Sequence, residues 1–170
     1  MPKLQKHLKL PKLRARRGVV APLVAIALST AVAGAGWYQD QQARQRDVAV
    51  RQSLAAATPA AQAIFSYDYR SFDASTSNAR TFITGDFAAE YAKTTTALKS
   101  NAIAEQAIVR AEVSATGVVT ASPAGVDLLL YVDQYRRNTN ITGEKVDQNR
   151  VVLTMVPAEG TWKVAHAVAL

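Results

Sequence analysis

Residues 107–116 read A-I-V-R-A-E-V-S-A-T. Val109, Ala111, Val113 and Ala115 alternate with Arg110, Glu112, Ser114 and Thr116. A period of two marks a strand with one face buried and one face wet. Downstream the strand signal repeats. Ser122-Pro123-Ala124-Gly125 carries turn chemistry. Residues 126–135, V-D-L-L-L-Y-V-D-Q-Y, read as a more deeply buried strand. Residues 136–149 are polar, with Asn138, Asn140 and Gly143, and are expected to form a loop. Residues 150–156 form a third strand, Pro157-Ala158-Glu159-Gly160 a turn, and residues 161–168 a fourth strand. Four strands joined by turns predict an antiparallel meander.

Upstream of residue 107 the pattern is helical. Residues 39–57, Q-D-Q-Q-A-R-Q-R-D-V-A-V-R-Q-S-L-A-A-A, lack glycine and are expected to form a helical stalk. Thr58-Pro59 can cap a new helix or kink the same one. Ala61, Ile64, Phe65, the Tyr67/Tyr69 pair and Phe72 supply a buried face at helical spacing. Asp73 is expected to cap a short helix carrying Thr76, Ala79, Phe82 and Ile83 on one side. Gly85 ends it, and Asp86 is expected to cap a third helix with Phe87, Tyr91 and Leu98 on one face. Helices first and strands after predict an α+β domain over residues 58–170, with about three helices packed on one face of a four-stranded sheet.

Residues 18–38, G-V-V-A-P-L-V-A-I-A-L-S-T-A-V-A-G-A-G-W-Y, contain no charged side chain. Such a run is close to the roughly 20 residues that cross a hydrocarbon core as a helix. Arg16 and Arg17 precede it and Trp37 and Tyr38 follow it, as residues at the two membrane boundaries would. Ala21, Ala25, Ser29 and Ala33 recur every four residues, a stripe that lets another helix approach. The formal charge is +7, and Lys3, Lys6, Lys9, Lys12, Arg14, Arg16 and Arg17 account for it. The other thirteen basic side chains face 13 acidic ones, which argues against a nucleic-acid surface on the large domain. The positive-inside rule places the basic tail, residues 1–17, in the cytoplasm and the domain outside. Such a tail can also lie on anionic lipid. The competing reading is a cleaved signal peptide, since Ala31 and Ala33 fit an A-x-A site. No cysteine is present, so disulfides, thiolate metal sites and cysteine nucleophiles are excluded.

An ordered set of motifs accompanies this layout. It runs Ser66-Tyr67-Asp68-Tyr69-Arg70-Ser71-Phe72-Asp73, then Phe82-Ile83-Thr84-Gly85-Asp86-Phe87 with Tyr91. Gly117-Val118-Val119 and Leu128-Leu129-Leu130-Tyr131-Val132-Asp133-Gln134 come next. Arg150-Val151-Val152-Leu153-Thr154-Met155-Val156 and Gly160-Thr161-Trp162-Lys163-Val164 close it. With the basic tail and the span, the set resembles the Mce-associated membrane proteins of actinobacteria, single-span accessory subunits of Mce lipid-import systems. The resemblance implies a nuclear-transport-factor-2-like cone, similar to the periplasmic domain of a type IV secretion inner-membrane component. It implies a non-catalytic helper in the cytoplasmic membrane whose partners are Mce transporter subunits.

Chemistry is sparsely signalled. There is no G-x-S-x-G, P-loop or zinc-ligand spacing, and no cofactor is expected. Asp68, Asp73, Asp127, Asp133 and His166 are the polar candidates for a cone interior. Strict alternation would place Trp162, Val164, His166 and Val168 on one face, with His166 directed at the cavity as a base. Tyr67-Asp68-Tyr69-Arg70 is a candidate partner contact, because exposed Tyr and Arg make good anchors. Arg136-Arg137 can meet acidic headgroups or a partner, or end a solvated strand. The expected function is an accessory, structural one in an envelope lipid-import complex. The alternatives are a binding module holding a lipid or hydrophobic ligand in the cone, and an enzyme using His166.

Overall fold

A computed structural model describes the backbone of residues 17–170 and the side chains of residues 37–170. The basic tail, the expected boundary residues Arg16 and Arg17 and the small-residue stripe lie outside the described side chains. The chain divides into two units, one ending at Gln41 and one comprising residues 42–170. Helix α1, Arg17–Phe65, supplies backbone to both. Among the residues whose side chains are described no helix is long and apolar enough to cross a membrane, and most of the expected span 18–38 falls outside those residues. Trp37 and Tyr38, expected at its far boundary, are exposed.

The second unit is α+β. After α1 come strand β1 (Tyr67–Asp68), a 3₁₀ turn (Tyr69–Ser71), and helices α2 (Phe72–Arg80) and α3 (Asp86–Ala104). Strands β2 (Ile108–Ser122), β3 (Gly125–Arg137), β4 (Lys145–Ala158) and β5 (Thr161–Ala169) follow. The sheet order is β1-β2-β3-β4-β5, all antiparallel. The expected meander is therefore present, with one strand more than the four expected. The additional strand is only two residues long and sits inside the tyrosine cluster, too short to leave a period in the sequence. The expected loop at 136–149 is also shorter. β3 runs on to Arg137 and β4 begins at Lys145, because Arg136 pairs with Asp147 and Arg137 with Glu144 across the hairpin. Polar side chains hid a paired ladder there.

The inner face of the sheet is built by every second residue of its two central strands. Val126, Leu128, Leu130 and Val132 of β3 stand beside Met155, Leu153 and Val151 of β4, all buried. Against them lies a stripe of α1 made almost entirely of small residues: Ala49, Ser53, Ala57, Ala60, Ala61 and Ile64. Spacings of three and four keep these on one helical face, and the missing bulk lets the helix axis approach the sheet closely. The packed unit thus begins well before residue 58, and the segment expected as a stalk contributes to the core. Pro59 lies within α1 without ending it. It removes the hydrogen bond to the carbonyl of Ala55. Both residues face solvent, so water replaces the missing donor.

The helix ends are tied down one by one. Tyr91 Oη donates to the Ile64 carbonyl at 3.5 Å, and Gln134 Nε2 donates to that of Phe65 at 3.2 Å. Both carbonyls belong to the last turn of α1, where no intrahelical partner exists. Trp162 Nε1 donates to Gln52 Oε1 at 3.0 Å, linking β5 to α1. Asp86 does not cap α3 with its side chain; Gly85 holds the cap position at φ +63° and ψ −150°, a conformation open to glycine. Asp73 likewise is not a cap. It sits in the first turn of α2 and pairs with Lys99 of α3 at 2.7 Å. A smaller core of Phe72, Ala102 and Ala107, with Tyr67 and Leu98 against it, closes the far end.

Two substitutions test this packing by chemical denaturation. Leu153→Ala, at a position with no exposure, is expected to cost about 2–5 kcal/mol. Ala60→Leu is expected to cost about 1–3 kcal/mol by forcing α1 away from the sheet. A neutral result for the second would show that the helix does not approach as closely as its alanine stripe implies.

Candidate functional site

A concavity of about 800 Å³ lies between α3 and the β4–β5 side of the sheet. Ile64 and Phe65 from the end of α1 form one wall. Phe87, Tyr91 and Ala97 of α3 line another at spacings of four and six, with Glu90 and Lys93 exposed at the rim. Val151 of β4 and Ala167 and Ala169 of β5 form the floor. The groove is thus apolar inside and charged only at its edge, the usual character of a site for an apolar group. Burial raises the Tyr91 hydroxyl pKa above its ordinary value, with Arg80 opposing, so the phenol stays neutral and keeps its bond to α1.

The floor of the groove is lined by alanines because β5 is irregular. Val164 stands opposite Met155, but the next pair is His166 opposite Thr154, so Ala165 is an extra residue and forms a β-bulge. The bulge reverses which side chains face inward. Trp162 and Val164 point to the core, and beyond the bulge Ala167 and Ala169 do, opposite Leu153 and Val151. The expectation that His166 faces the cavity is therefore incorrect. His166 is exposed on the outer face, as is Val168. Two methyl groups occupy the floor where an imidazole and an isopropyl group would otherwise stand.

The other candidates are accounted for by local contacts. Asp68 accepts from the Arg70 backbone N–H at 2.9 Å and caps the 3₁₀ turn, and its carboxylate pairs with the Arg70 guanidinium at 2.5 Å. Hydrogen bonding to Arg70 lowers the Asp68 pKa. Tyr67 packs edge-on against Phe72 with centroids 5.5 Å apart, and burial raises its pKa. The Arg70 guanidinium stands 5.9 Å from the Tyr69 ring. The predicted contact residues Tyr67, Asp68, Tyr69 and Arg70 are thus brought together, each with a partner inside the chain. Asp127 accepts hydrogen bonds from Thr120 and Thr154, and Asp133 from Gln148, all on the outer face. Thr154 stands between Asp127 and His166 in register. That separates carboxylate and imidazole by two strand spacings, roughly 9–10 Å, too far for a proton relay. Among the described residues no group of three or more His, Asp or Glu side chains could hold a metal ion. Ala97, Ala167 and Ala169 were missed by the sequence reading, because an alanine carries no periodic signal of its own and the bulge is invisible without the register.

No protein-family model matches the chain. Two uncharacterized proteins of Mycobacterium tuberculosis, from strains CDC 1551 / Oshkosh and ATCC 25618 / H37Rv, are each 27% identical over 149 residues. Those matches cover 84% of this chain and 68% of each relative. Among solved structures, an IcmL-like type IV secretion system protein from Legionella pneumophila superposes with a TM-score of 0.58 at 17% identity, covering 73% of this chain and 90% of that one. CagV, a VirB8 homolog of the Helicobacter pylori type IV secretion system, gives 0.56 at 11% identity, covering 68% and 93%. The periplasmic domain of DotI gives 0.53 at 14% identity, covering 69% and 91%. At these identities the likeness is one of fold.

Two outcomes follow from the geometry. His166→Ala is expected to leave stability within about 0.5 kcal/mol, as for an exposed side chain without a local role; a larger loss in a thermal melt would mean that the imbalance between the two faces of β5 is misread. Asp68 has a lowered pKa in the fold, so its contribution is complete above the ordinary carboxylate range and fades as pH falls through the lowered value. Asp68→Asn should therefore flatten the acid limb of the stability curve slightly, on the scale of an exposed ion pair, under about 1 kcal/mol.

Proposed function

We propose that this chain is a non-catalytic accessory subunit of an envelope complex, anchored by residues 18–38 with its N-terminus in the cytoplasm. Its folded unit, residues 42–170, then lies outside the cytoplasmic membrane and works through protein contacts. The observation that carries this reading is the shared fold. Proteins described as type IV secretion system components, and domains described as periplasmic, superpose on most of the folded unit. The charge distribution supports the same orientation, since the excess basic residues all precede the apolar run. We further propose that the parent complex is an Mce-type lipid importer, on the strength of the ordered motifs from Ser66-Tyr67-Asp68-Tyr69-Arg70 to Gly160-Thr161-Trp162-Lys163-Val164.

A second reading has one specific observation in its favour. The apolar groove beneath α3 has room for a lipid chain or another hydrophobic ligand. The enzyme reading loses its main support, because the bulge turns His166 away from that groove.

The test is affinity purification of the chain from its native membrane in mild detergent, with mass spectrometry of the co-purifying proteins and lipids. Substrate-binding, permease or ATPase subunits of an Mce system are the expected companions. Purification alone and reproducibly loaded with one lipid would sink the accessory reading in favour of the ligand-binding one.

A further inference from the structure

β5 is the last strand of the sheet, and one of its edges is only partly used. At Val164 the chain pairs with itself: Val164 N donates to the Phe82 carbonyl at 2.8 Å, and Thr84 N donates to the Val164 carbonyl at 3.0 Å. This forms a parallel bridge between Ile83 and Val164. The segment then turns away at Gly85 into α3, and among the described residues no strand continues along residues 165–169. Leu170 N donates to the Arg150 carbonyl on the β4 side. Backbone groups alternate direction along a strand, so those of Ala167 and Ala169 point to the open side.

That open side borders the apolar groove, because the same two alanines form its floor. A free strand edge beside a helix-walled apolar trough is the arrangement that takes an extended peptide: the backbone supplies affinity and alternate side chains fill the trough. Residues 165–170, A-H-A-V-A-L, carry no Lys, Arg, Asp or Glu. Exposed edges are usually guarded by such charges or by bulges; this stretch carries no such charge, and the one bulge of β5, at Ala165, lies before Ala167 and Ala169. The other long edge, on β2, carries two irregularities, at Ser114 and Val119.

We propose that residues 165–169 and the groove under α3 form a β-augmentation site for an extended segment of a partner protein, with apolar side chains at alternate positions. The inference deepens the protein-contact reading and rests on it for the partner's identity. Ile83 and Thr84 show how the added strand would bond, since they already occupy the edge one step earlier. Phe87 and Tyr91 receive its inward side chains, and the exposed Lys93, which has no ion-pair partner among the described residues, stands at the rim.

The experiment selects displayed random peptides of about eight residues, enough for a strand of ordinary length, against the whole chain in lipid nanodiscs. Peptides with alternating apolar residues should be enriched over bare nanodiscs, and amide exchange should slow at Ala167 and Ala169 when they bind. Two variants then challenge the site. Ala167→Pro removes an outward N–H while sparing the ladder to β4, and Ala97→Phe fills the groove from α3 without touching the sheet. Each is expected to weaken binding by about tenfold, the scale of one or two lost hydrogen bonds or contacts, with the melting temperature of Ala97→Phe unchanged. Val119→Asp on the β2 edge is expected to leave binding intact. Enrichment of nothing, binding that survives either groove variant, or loss in Val119→Asp would overturn the proposal. Each of those results is separate from co-purification with transporter subunits, so the accessory reading can stand when this one fails.

Discussion

The fold depends on how closely α1 can lie against the sheet. β3 and β4 present long side chains inward, with Leu128, Leu130, Leu153 and Met155 all fully buried. A helix offering equally long side chains would stand off by several ångströms and leave voids. The alanines at 49, 57, 60 and 61 and the serine at 53 avoid that. Ser53 can be small and polar at no cost because its hydroxyl returns to the Val50 carbonyl at 3.0 Å. The bulk of the core therefore comes from the sheet and its shape from the helix. The last turn of α1 is then fixed by Tyr91 and Gln134, which joins α3 and β3 to the same helix end.

From this contact follows the position of the groove. α1 ends at Phe65, held by Gln134, and its last turn flanks the Val151–Ala169 corner of the sheet with Ile64 and Phe65. α3 lies over that corner and lines it with Ala97 and with Phe87 and Tyr91, whose rings are 6.4 Å apart. A regular β5 would fill the remaining space with His166 and Val168. The bulge at Ala165 turns both outward and leaves alanines inside. One unpaired residue in one strand thus decides which side chains of β5 line the groove. Bulges commonly re-aim side chains beside functional sites, and here the re-aiming removes bulk.

Legibility in the sequence followed the strength of each period. Val109 to Thr116 alternates cleanly, and β2 is there; residues 126–135 carry a buried run, and β3 is there. The helical spacing of Phe87 and Tyr91 and the turns at Pro123 and Gly160 were equally readable. What failed were features set by register. β1 consists of two residues and is defined by Tyr67 and Asp68 meeting Val109 and Ile108. The ladder through Arg136 and Lys145 rests on cross-strand ion pairs that look like a polar loop when read in one dimension. The phase of β5 changes at an alanine, and alternation rules extended through Ala165 put His166 on the wrong face. The same limit hid the candidate site, whose floor is alanine.

The surface charges indicate how a partner would be chosen. Asp68 is paired with Arg70, Asp73 with Lys99, Glu112 with Arg110, Glu144 with Arg137, and Asp147 with both Arg136 and Lys145. Arg110 and Arg150 also lie over the Tyr135 and Tyr131 rings, at 4.5 and 5.8 Å from the centroids. Pairs of this kind add little stability at an exposed surface. Their consequence is instead that these neighbouring charges offset one another locally, which weakens any long-range field they would exert on an approaching protein. A partner of the kind proposed would then be recognised chiefly by shape, apolar contact and backbone hydrogen bonding. The proposed site between α3 and β5 would combine all three, with the bulge at Ala165 setting which side chains of β5 face it.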